Sequence, residues 1–179
     1  MSAPVLTVAG LWNSGPQHWQ THWEAKHGWR RVPQREWDHP ERGEWVATLD
    51  KTVREMSEPP VLAAHSLACT LVGHWAQSPD RGQVRGAFLV APSDVEAPSY
   101  PPNAIDFEPM PLAPLPFPSI VVASTNDQYV SLDRAKAFAS AWGSRLVVIG
   151  DAGHINGASG YGPWPEGEKL LLEFCDSLR

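Results

Sequence analysis

A serine, an aspartate and a histidine occur in an order that suits nucleophilic catalysis. Ser66 lies in "VLAAHSLACTLVGHW", where an apolar run changes into a helix-like segment, while Asp127 lies in "STNDQYVS" and His154 in "VVIGDAGHINGASGYG". A serine hydroxyl becomes a nucleophile when a histidine takes its proton and an acid fixes the tautomer of that histidine. The chain order Ser, Asp, His is one that such triads use. The three residues are therefore predicted to form a catalytic triad.

The stretch around Ser66 does not by itself distinguish a nucleophile from a helix cap. Ala64 and Ala68 stand where the elbow pattern G-x-S-x-G has glycines, so the small neighbours that a tight strand-to-helix turn needs are present. A serine before a helix can equally be an N-cap. Asp94 is a second candidate for the acid, and Asp127 is favoured over it because it follows the next apolar run along the chain.

Apolar runs of strand length alternate with segments of helical periodicity, which predicts a parallel α/β sheet with right-handed crossovers. Ligands of such sheets collect beyond the carboxyl ends of the strands, where all three triad candidates lie. The predicted strands are 4–10, 29–32, 60–65, 84–91, 119–124 and 145–150, and the predicted helices are 18–27, 44–56, 67–77, 132–142 and 166–178.

Residues 92–118 hold half of the 18 prolines, too many for a helix or an interior strand. We predict a long loop that leaves the carboxyl end of the fourth strand and borders the active site. A loop packed over the strand ends is favoured over a mobile lid. Five apolar side chains are candidates for the wall of a substrate pocket, three in this loop and two near the other catalytic loops. They are Phe107, Met110, Phe117, Trp12 and Trp164.

Composition indicates a single domain over residues 1–179. The net charge of −6 and a pI near 5.6 argue against a nucleic-acid surface. No apolar stretch approaches the ~20 residues that span a bilayer, and the N-terminus lacks the pattern of a secretory signal, so we expect a cytoplasmic protein without a membrane partner. The two cysteines, Cys69 and Cys175, predict buried thiols rather than a disulfide framework.

The loop "GLWNSGPQ" after the first strand is predicted to help form an oxyanion hole. The backbone N–H of Leu67 is the first expected donor, and that of Leu11 or Trp12 is the second. The loop lacks the Lys and Ser/Thr of a phosphate loop, which disfavours nucleotide hydrolysis. His18 and His22 have a spacing that suits zinc, but no glutamate follows His18 and no third ligand is evident, so neither a metal nor another cofactor is expected.

The chain resembles the small serine hydrolases of the retinoblastoma-binding-protein-9 and YdeN type, which belong to the α/β-hydrolase superfamily. The resemblance rests on "VLTVAGLWNSGPQHWQTHWE", "LAAHSLACTLVGHWA", "STNDQYVS" and "AGHINGASGYGPWPEG". It implies a compact three-layer α/β/α fold with six mainly parallel strands in the order 2-1-3-4-5-6, and it gives the catalytic roles to Ser66, Asp127 and His154. The L-x-C-x-E signature is missing, since "LACTL" ends in leucine, so binding to retinoblastoma protein is not expected.

These features predict a carboxylesterase-like serine hydrolase that cleaves a small-molecule ester, thioester or amide through an acyl-enzyme. The alternative is a catalytically idle protein-interaction module that keeps the fold, because a fold does not itself imply a function. An intact triad counts against that alternative. A third hypothesis, that the same triad serves another acyl transfer or the cleavage of a C–C bond, stays open.

Overall fold

The computed structural model describes residues 3–179 and contains one six-stranded sheet in which every pair of neighbours is parallel. The strands are β1 (Val5–Val8), β2 (Arg30–Arg31), β3 (Val61–His65), β4 (Gly86–Val90), β5 (Ser119–Ala123) and β6 (Arg145–Val148), and the helices are α1 (Trp19–His27), α2 (Arg42–Glu55), α3 (Leu67–Ala76), α4 (Leu132–Trp142) and α5 (Pro165–Ser177). The strand order is β2-β1-β3-β4-β5-β6, which confirms the predicted order.

Helices cover both faces of the sheet, which makes the three predicted layers. In β3, Leu62 and Ala64 pack into a core that also holds apolar side chains of α2, α3 and α4. Val61 and Ala63 point to the other face and pack with side chains of α1 and α5. Because successive side chains of a strand point to opposite faces, a strand buried on both faces is a continuous apolar run.

The ends of the predicted elements agree with the structure to within two residues. The second strand shrinks to Arg30–Arg31, because it is an edge strand that pairs with β1 alone and Pro33 cannot donate a ladder hydrogen bond. Helix α2 starts two residues earlier than predicted. The Glu41 carboxylate accepts the N–H groups of Gly43 and Glu44 at 2.9 Å each, and a negative charge is favourable at a helix N-terminus.

The proline-rich segment 92–118 is a loop, as predicted, and contains no helix and no strand longer than one isolated bridge. Its central part crosses α3 rather than the carboxyl edge of the sheet. Pro111 lies against Gly73 of α3 so closely that a Cβ there would come within 2.6 Å of the proline ring. Phe107 is 1% exposed and meets Trp45 of α2 edge to face, so this part of the loop completes the core.

We expect Phe107→Ala to lower the free energy of unfolding by about 3–5 kcal/mol, because it removes a buried ring and leaves a cavity. Urea denaturation measures this effect. Leu112→Ala is the matched control in the same loop, since Leu112 is 47% exposed and its truncation is expected to change stability by less than about 0.5 kcal/mol. Equal losses for the two variants would contradict the packing described here.

Within residues 3–179, every helix is too short or too polar to cross a bilayer.

Candidate active site

Ser66 stands in a strained turn between β3 and α3. Its backbone has φ 61° and ψ −124°, a region that side chains rarely adopt and that is found at functional sites. Ser66 holds the N-cap position of α3, but its hydroxyl makes no cap hydrogen bond. Instead Oγ lies 2.8 Å from Nε2 of His154. The tertiary structure thus separates the two interpretations that the local sequence left open, because the hydroxyl faces a histidine and not the helix.

His154 and Asp127 continue the line of hydrogen-bonded side chains that begins at Ser66. Nδ1 of His154 lies 2.9 Å from both carboxylate oxygens of Asp127, whose side chain is fully buried. The backbone N–H of Tyr129 donates a further hydrogen bond of 2.8 Å to this carboxylate. Asp94, the rival acid, instead makes a bidentate ion pair with Arg134 at 2.8 and 3.0 Å. The geometry therefore selects Asp127 as the neighbour of the histidine.

The loop that carries His154 is held by side chains of the loop after β5. The Ser124 hydroxyl accepts the N–H of Ala152 at 3.0 Å, and the Asn126 side-chain oxygen accepts the N–H of Gly153 at 2.7 Å. Gly153 has φ 57°, a conformation that favours glycine. These contacts join the loops after β5 and β6, so that Asp127 and His154 keep their relative position.

Two further histidines support the backbone of His154. Nε2 of His65 lies 2.8 Å from the His154 carbonyl, which can only accept, so this nitrogen carries the proton. Nδ1 of His65 then accepts from Nε2 of His18 at 3.3 Å, and Nδ1 of His18 accepts the N–H of Gln20. Burial is the main cause that lowers the pKa of His18 to about 3 and holds the pKa of His65 well below its usual value. Both side chains are therefore neutral near pH 7.

His18 and His22, whose spacing alone would suit zinc, do not form a metal-binding group. Both ring nitrogens of His18 take part in the hydrogen bonds just described, and residues 3–179 contain no group of three or more His, Cys, Asp or Glu side chains that could hold a metal ion.

The loop after β1 approaches the turn at Ser66 closely. A Cβ at Gly10 would lie 2.9 Å from the His65 carbonyl and 3.1 Å from the Leu67 nitrogen, so this close approach requires glycine. Leu67 is the first residue of α3, where N–H groups have no partner within the helix. The N–H of Trp12 donates to the Trp37 carbonyl at 2.9 Å, whereas within residues 3–179 the N–H of Leu11 makes no such bond. Leu11 is therefore the better candidate for the second oxyanion donor, because the N–H of Trp12 is already engaged.

A cavity of about 460 Å³ opens onto Ser66. The loop after β1 forms one wall, residues 156–158 form another, and Tyr100 and Tyr129 complete the lining. Trp12 lines this cavity and is 51% exposed, in agreement with its predicted place at a substrate pocket.

The other four predicted wall residues do not line this cavity. Phe107 and Met110 are buried in the core against α2 and α3, because the loop crosses α3. Phe117 packs beside Trp75 of α3, and Trp164 stacks on Trp23 of α1 with the ring centroids 5.6 Å apart. The proline-rich segment reaches the cavity through Tyr100 alone among residues 92–118.

Sequence reasoning missed three residues of this site. Ser93 places its Oγ 2.7 Å from Oγ of Ser66, and the Tyr129 ring lies 4.5 Å from that of His154. Tyr100 lines the cavity, and burial raises the pKa of its phenol. A signal existed, since Ser93 follows β4 and Tyr129 follows β5 at the same carboxyl edge as the triad candidates.

A parallel sheet in this order, with a strained serine turn after its third strand, defines an α/β-hydrolase. Comparison with protein families is more specific, because the model of the family described as serine hydrolase matches residues 5–173. The chain belongs to this family of serine hydrolases. No curated protein shows significant sequence similarity to the chain.

Solved structures place the chain with YdeN-like small serine hydrolases. A YdeN-like hydrolase from Pectobacterium atrosepticum is 36% identical with a TM-score of 0.87, and the match covers 98% of this chain and 91% of that one. The ydeN gene product of B. subtilis is 20% identical with a TM-score of 0.79, covering 98% and 100%. A monoacylglycerol lipase from Paleococcus ferrophilus, 15% identical with a TM-score of 0.70 and coverage of 100% and 97%, shares the fold.

Proposed function

We propose that this serine hydrolase cleaves small carboxylic esters through an acyl-enzyme on Ser66, and that thioesters and amides with the same acyl groups are slower substrates. The proposal rests mainly on one observation. Oγ of Ser66, the ring of His154 and the carboxylate of Asp127 are joined by hydrogen bonds of 2.8 and 2.9 Å, and the serine end of this line opens into a cavity.

The proposed reaction has two halves. Oγ of Ser66 attacks the ester carbonyl while Nε2 of His154 takes the hydroxyl proton, and Asp127 stabilises the imidazolium that forms. The oxyanion accepts hydrogen bonds from the N–H groups of Leu67 and Leu11. Collapse of the tetrahedral intermediate breaks the bond to the alkoxy group, which leaves as an alcohol with the proton from His154. Water then repeats the sequence on the acyl-enzyme, which releases the acid and restores the Ser66 hydroxyl.

The walls of the cavity favour an uncharged substrate. The residues lining it include no carboxylate, amine or guanidinium side chain, and the depressed pKa values of His18 and His65 keep these two rings neutral. Asn13, Gln17 and Asn156 contribute uncharged amides. A charged acyl chain would lose hydration in this cavity without meeting an opposite charge, and such desolvation is costly.

Labelling with a fluorophosphonate and a screen of esters test the proposal directly. We expect covalent modification of one serine together with turnover of short-chain para-nitrophenyl esters. A folded protein that shows neither would instead support a catalytically idle interaction module.

Charge selectivity is a separate prediction. The kcat/KM for para-nitrophenyl hexanoate is expected to be at least about tenfold higher than that for the para-nitrophenyl half ester of adipate. The half ester carries a free carboxylate that must be desolvated in the cavity. The two acyl chains have equal length, so size does not explain a difference. The para-nitrophenyl ester of aminohexanoate carries the opposite charge and is expected to be equally poor. Equal kcat/KM values for the three esters would contradict an uncharged substrate class.

A further inference from the structure

A second serine hydroxyl touches the candidate nucleophile. Ser93 follows the end of β4 and is completely buried, and its Oγ lies 2.7 Å from Oγ of Ser66. Ser93 is not among the residues that line the cavity. It therefore meets a reacting atom from the side of the protein rather than from the side of the substrate.

The chemistry of the triad fixes the direction of this hydrogen bond. Nδ1 of His154 faces two carboxylate oxygens of Asp127, which accept only, so Nδ1 carries a proton. In the form of the site that can take the serine proton, Nε2 is then an acceptor and Ser66 donates to it. A hydroxyl has one hydrogen to donate, so Ser66 can only accept in its contact with Ser93. Ser93 is the donor.

Ser93 is held in place by contacts on both sides. Its N–H donates to the Ser66 carbonyl at 3.4 Å, and its own carbonyl accepts the Thr70 hydroxyl at 3.3 Å. These two contacts fix the backbone of Ser93 beside Ser66 and so place its hydroxyl against Oγ of Ser66.

We infer that Ser93 is a further catalytic residue, which donates a hydrogen bond to Oγ of Ser66 and stabilises the negative charge that develops there in both halves of the reaction. This inference rests on the proposed function of the same site. As His154 removes the proton of Ser66 during attack, Oγ becomes more negative and accepts more strongly. The same oxygen leaves the acyl group during deacylation, again with developing negative charge.

The hydrogen bond acts on the transition states more than on the stable states. In the acyl-enzyme Oγ is an ester oxygen, which is a weaker acceptor than an oxygen losing its proton. An interaction that is stronger in the transition state than before or after it raises kcat without improving substrate binding. No proton leaves Ser93 at any step, so the stoichiometry of ester hydrolysis is unchanged.

Ser93→Ala in the full-length protein tests the inference. We expect kcat for para-nitrophenyl hexanoate to fall roughly ten- to hundredfold, as the loss of one hydrogen bond to a charged group predicts, with KM nearly unchanged. The rate of fluorophosphonate labelling should fall in parallel, because that reaction also uses Oγ of Ser66. Ser119→Ala is the matched control, since it removes another buried serine hydroxyl that bonds a second serine, Ser144, at 2.6 Å, but at the start of β5 and away from Ser66. It should keep kcat close to that of the wild type.

Ser93→Cys provides a second variant should the alanine variant fail to fold. It keeps a side chain of similar shape with a weaker donor, and we expect an intermediate kcat. An unchanged or higher kcat in a folded Ser93 variant, or an equal loss in Ser119→Ala, would overturn the role of Ser93. Failure of the proposed function gives a different result, in which the wild type itself neither reacts with the fluorophosphonate nor hydrolyses any ester. That result would remove both proposals together.

Discussion

Ser66→Ala is expected to abolish fluorophosphonate labelling and to lower ester turnover by about 10⁶-fold, the size of effect that follows loss of the nucleophile in a serine triad. The variant lacks the oxygen that lies 2.8 Å from His154 and 2.7 Å from Ser93. Stability should change little, because the hydroxyl does not cap α3 and alanine has the same Cβ in the strained turn. Intact-protein mass spectrometry after labelling and thermal unfolding measure the two properties.

Ser131→Ala is the matched control for this variant. The Ser131 hydroxyl does cap a helix, since it accepts the N–H of Arg134 at 3.2 Å at the start of α4. Its loss should lower the free energy of unfolding by about 1 kcal/mol and leave labelling intact. Ser66→Ala is thus expected to remove activity with little effect on stability, and Ser131→Ala to lower stability with little effect on activity. A covalent adduct on the Ser66→Ala protein at the wild-type rate would show that the nucleophile lies elsewhere.

Asp127→Asn is expected to lower kcat by about 10⁴-fold while the protein stays folded. The side-chain NH₂ of asparagine would face Nδ1 of His154 and donate to it, so the imidazole proton would move to Nε2. That nitrogen could then no longer accept the proton of Ser66. Steady-state kinetics with a para-nitrophenyl ester measures the loss.

Asp94→Asn makes the same chemical change at the rival position. Asp94 pairs with Arg134 and has no contact with His154, so its substitution should disturb the loop after β4 and leave kcat far less affected. A larger loss of kcat in Asp94→Asn than in Asp127→Asn would show that Asp94 is the acid of the triad.

Much of the fold could be predicted from the pattern of apolar residues. In β4 every residue is buried and apolar, as expected of a strand that is covered on both faces. The turn positions of Ser66, Asp127 and His154 follow from the same pattern, because in a parallel sheet all carboxyl ends lie at one edge. Strand order came from the resemblance to a family, since no local pattern encodes which strands become neighbours.

The walls of the cavity could not be predicted in the same way. Phe107 and Trp12 are both aromatic residues in loops, but Phe107 is 1% exposed in the core and Trp12 is 51% exposed at the cavity. Burial of a hydrophobic side chain is favourable, but its hydrophobicity does not determine which surface it packs against. The proline-rich loop crosses α3, and this path places Phe107 and Met110 in the core.

The sequence by itself determined which strands and helices form and which chemical groups stand at their ends, because periodicity and residue type act over a few neighbouring residues. The tertiary structure alone decided that the Ser66 hydroxyl faces His154 instead of capping α3, that Asp94 pairs with Arg134, and that Ser93 touches the nucleophile. Each of these contacts joins residues that lie at least 27 positions apart in the chain. Hydrogen bonds depend on distances of a few tenths of an ångström and on direction, and only the packing of the whole sheet and its helices sets those quantities.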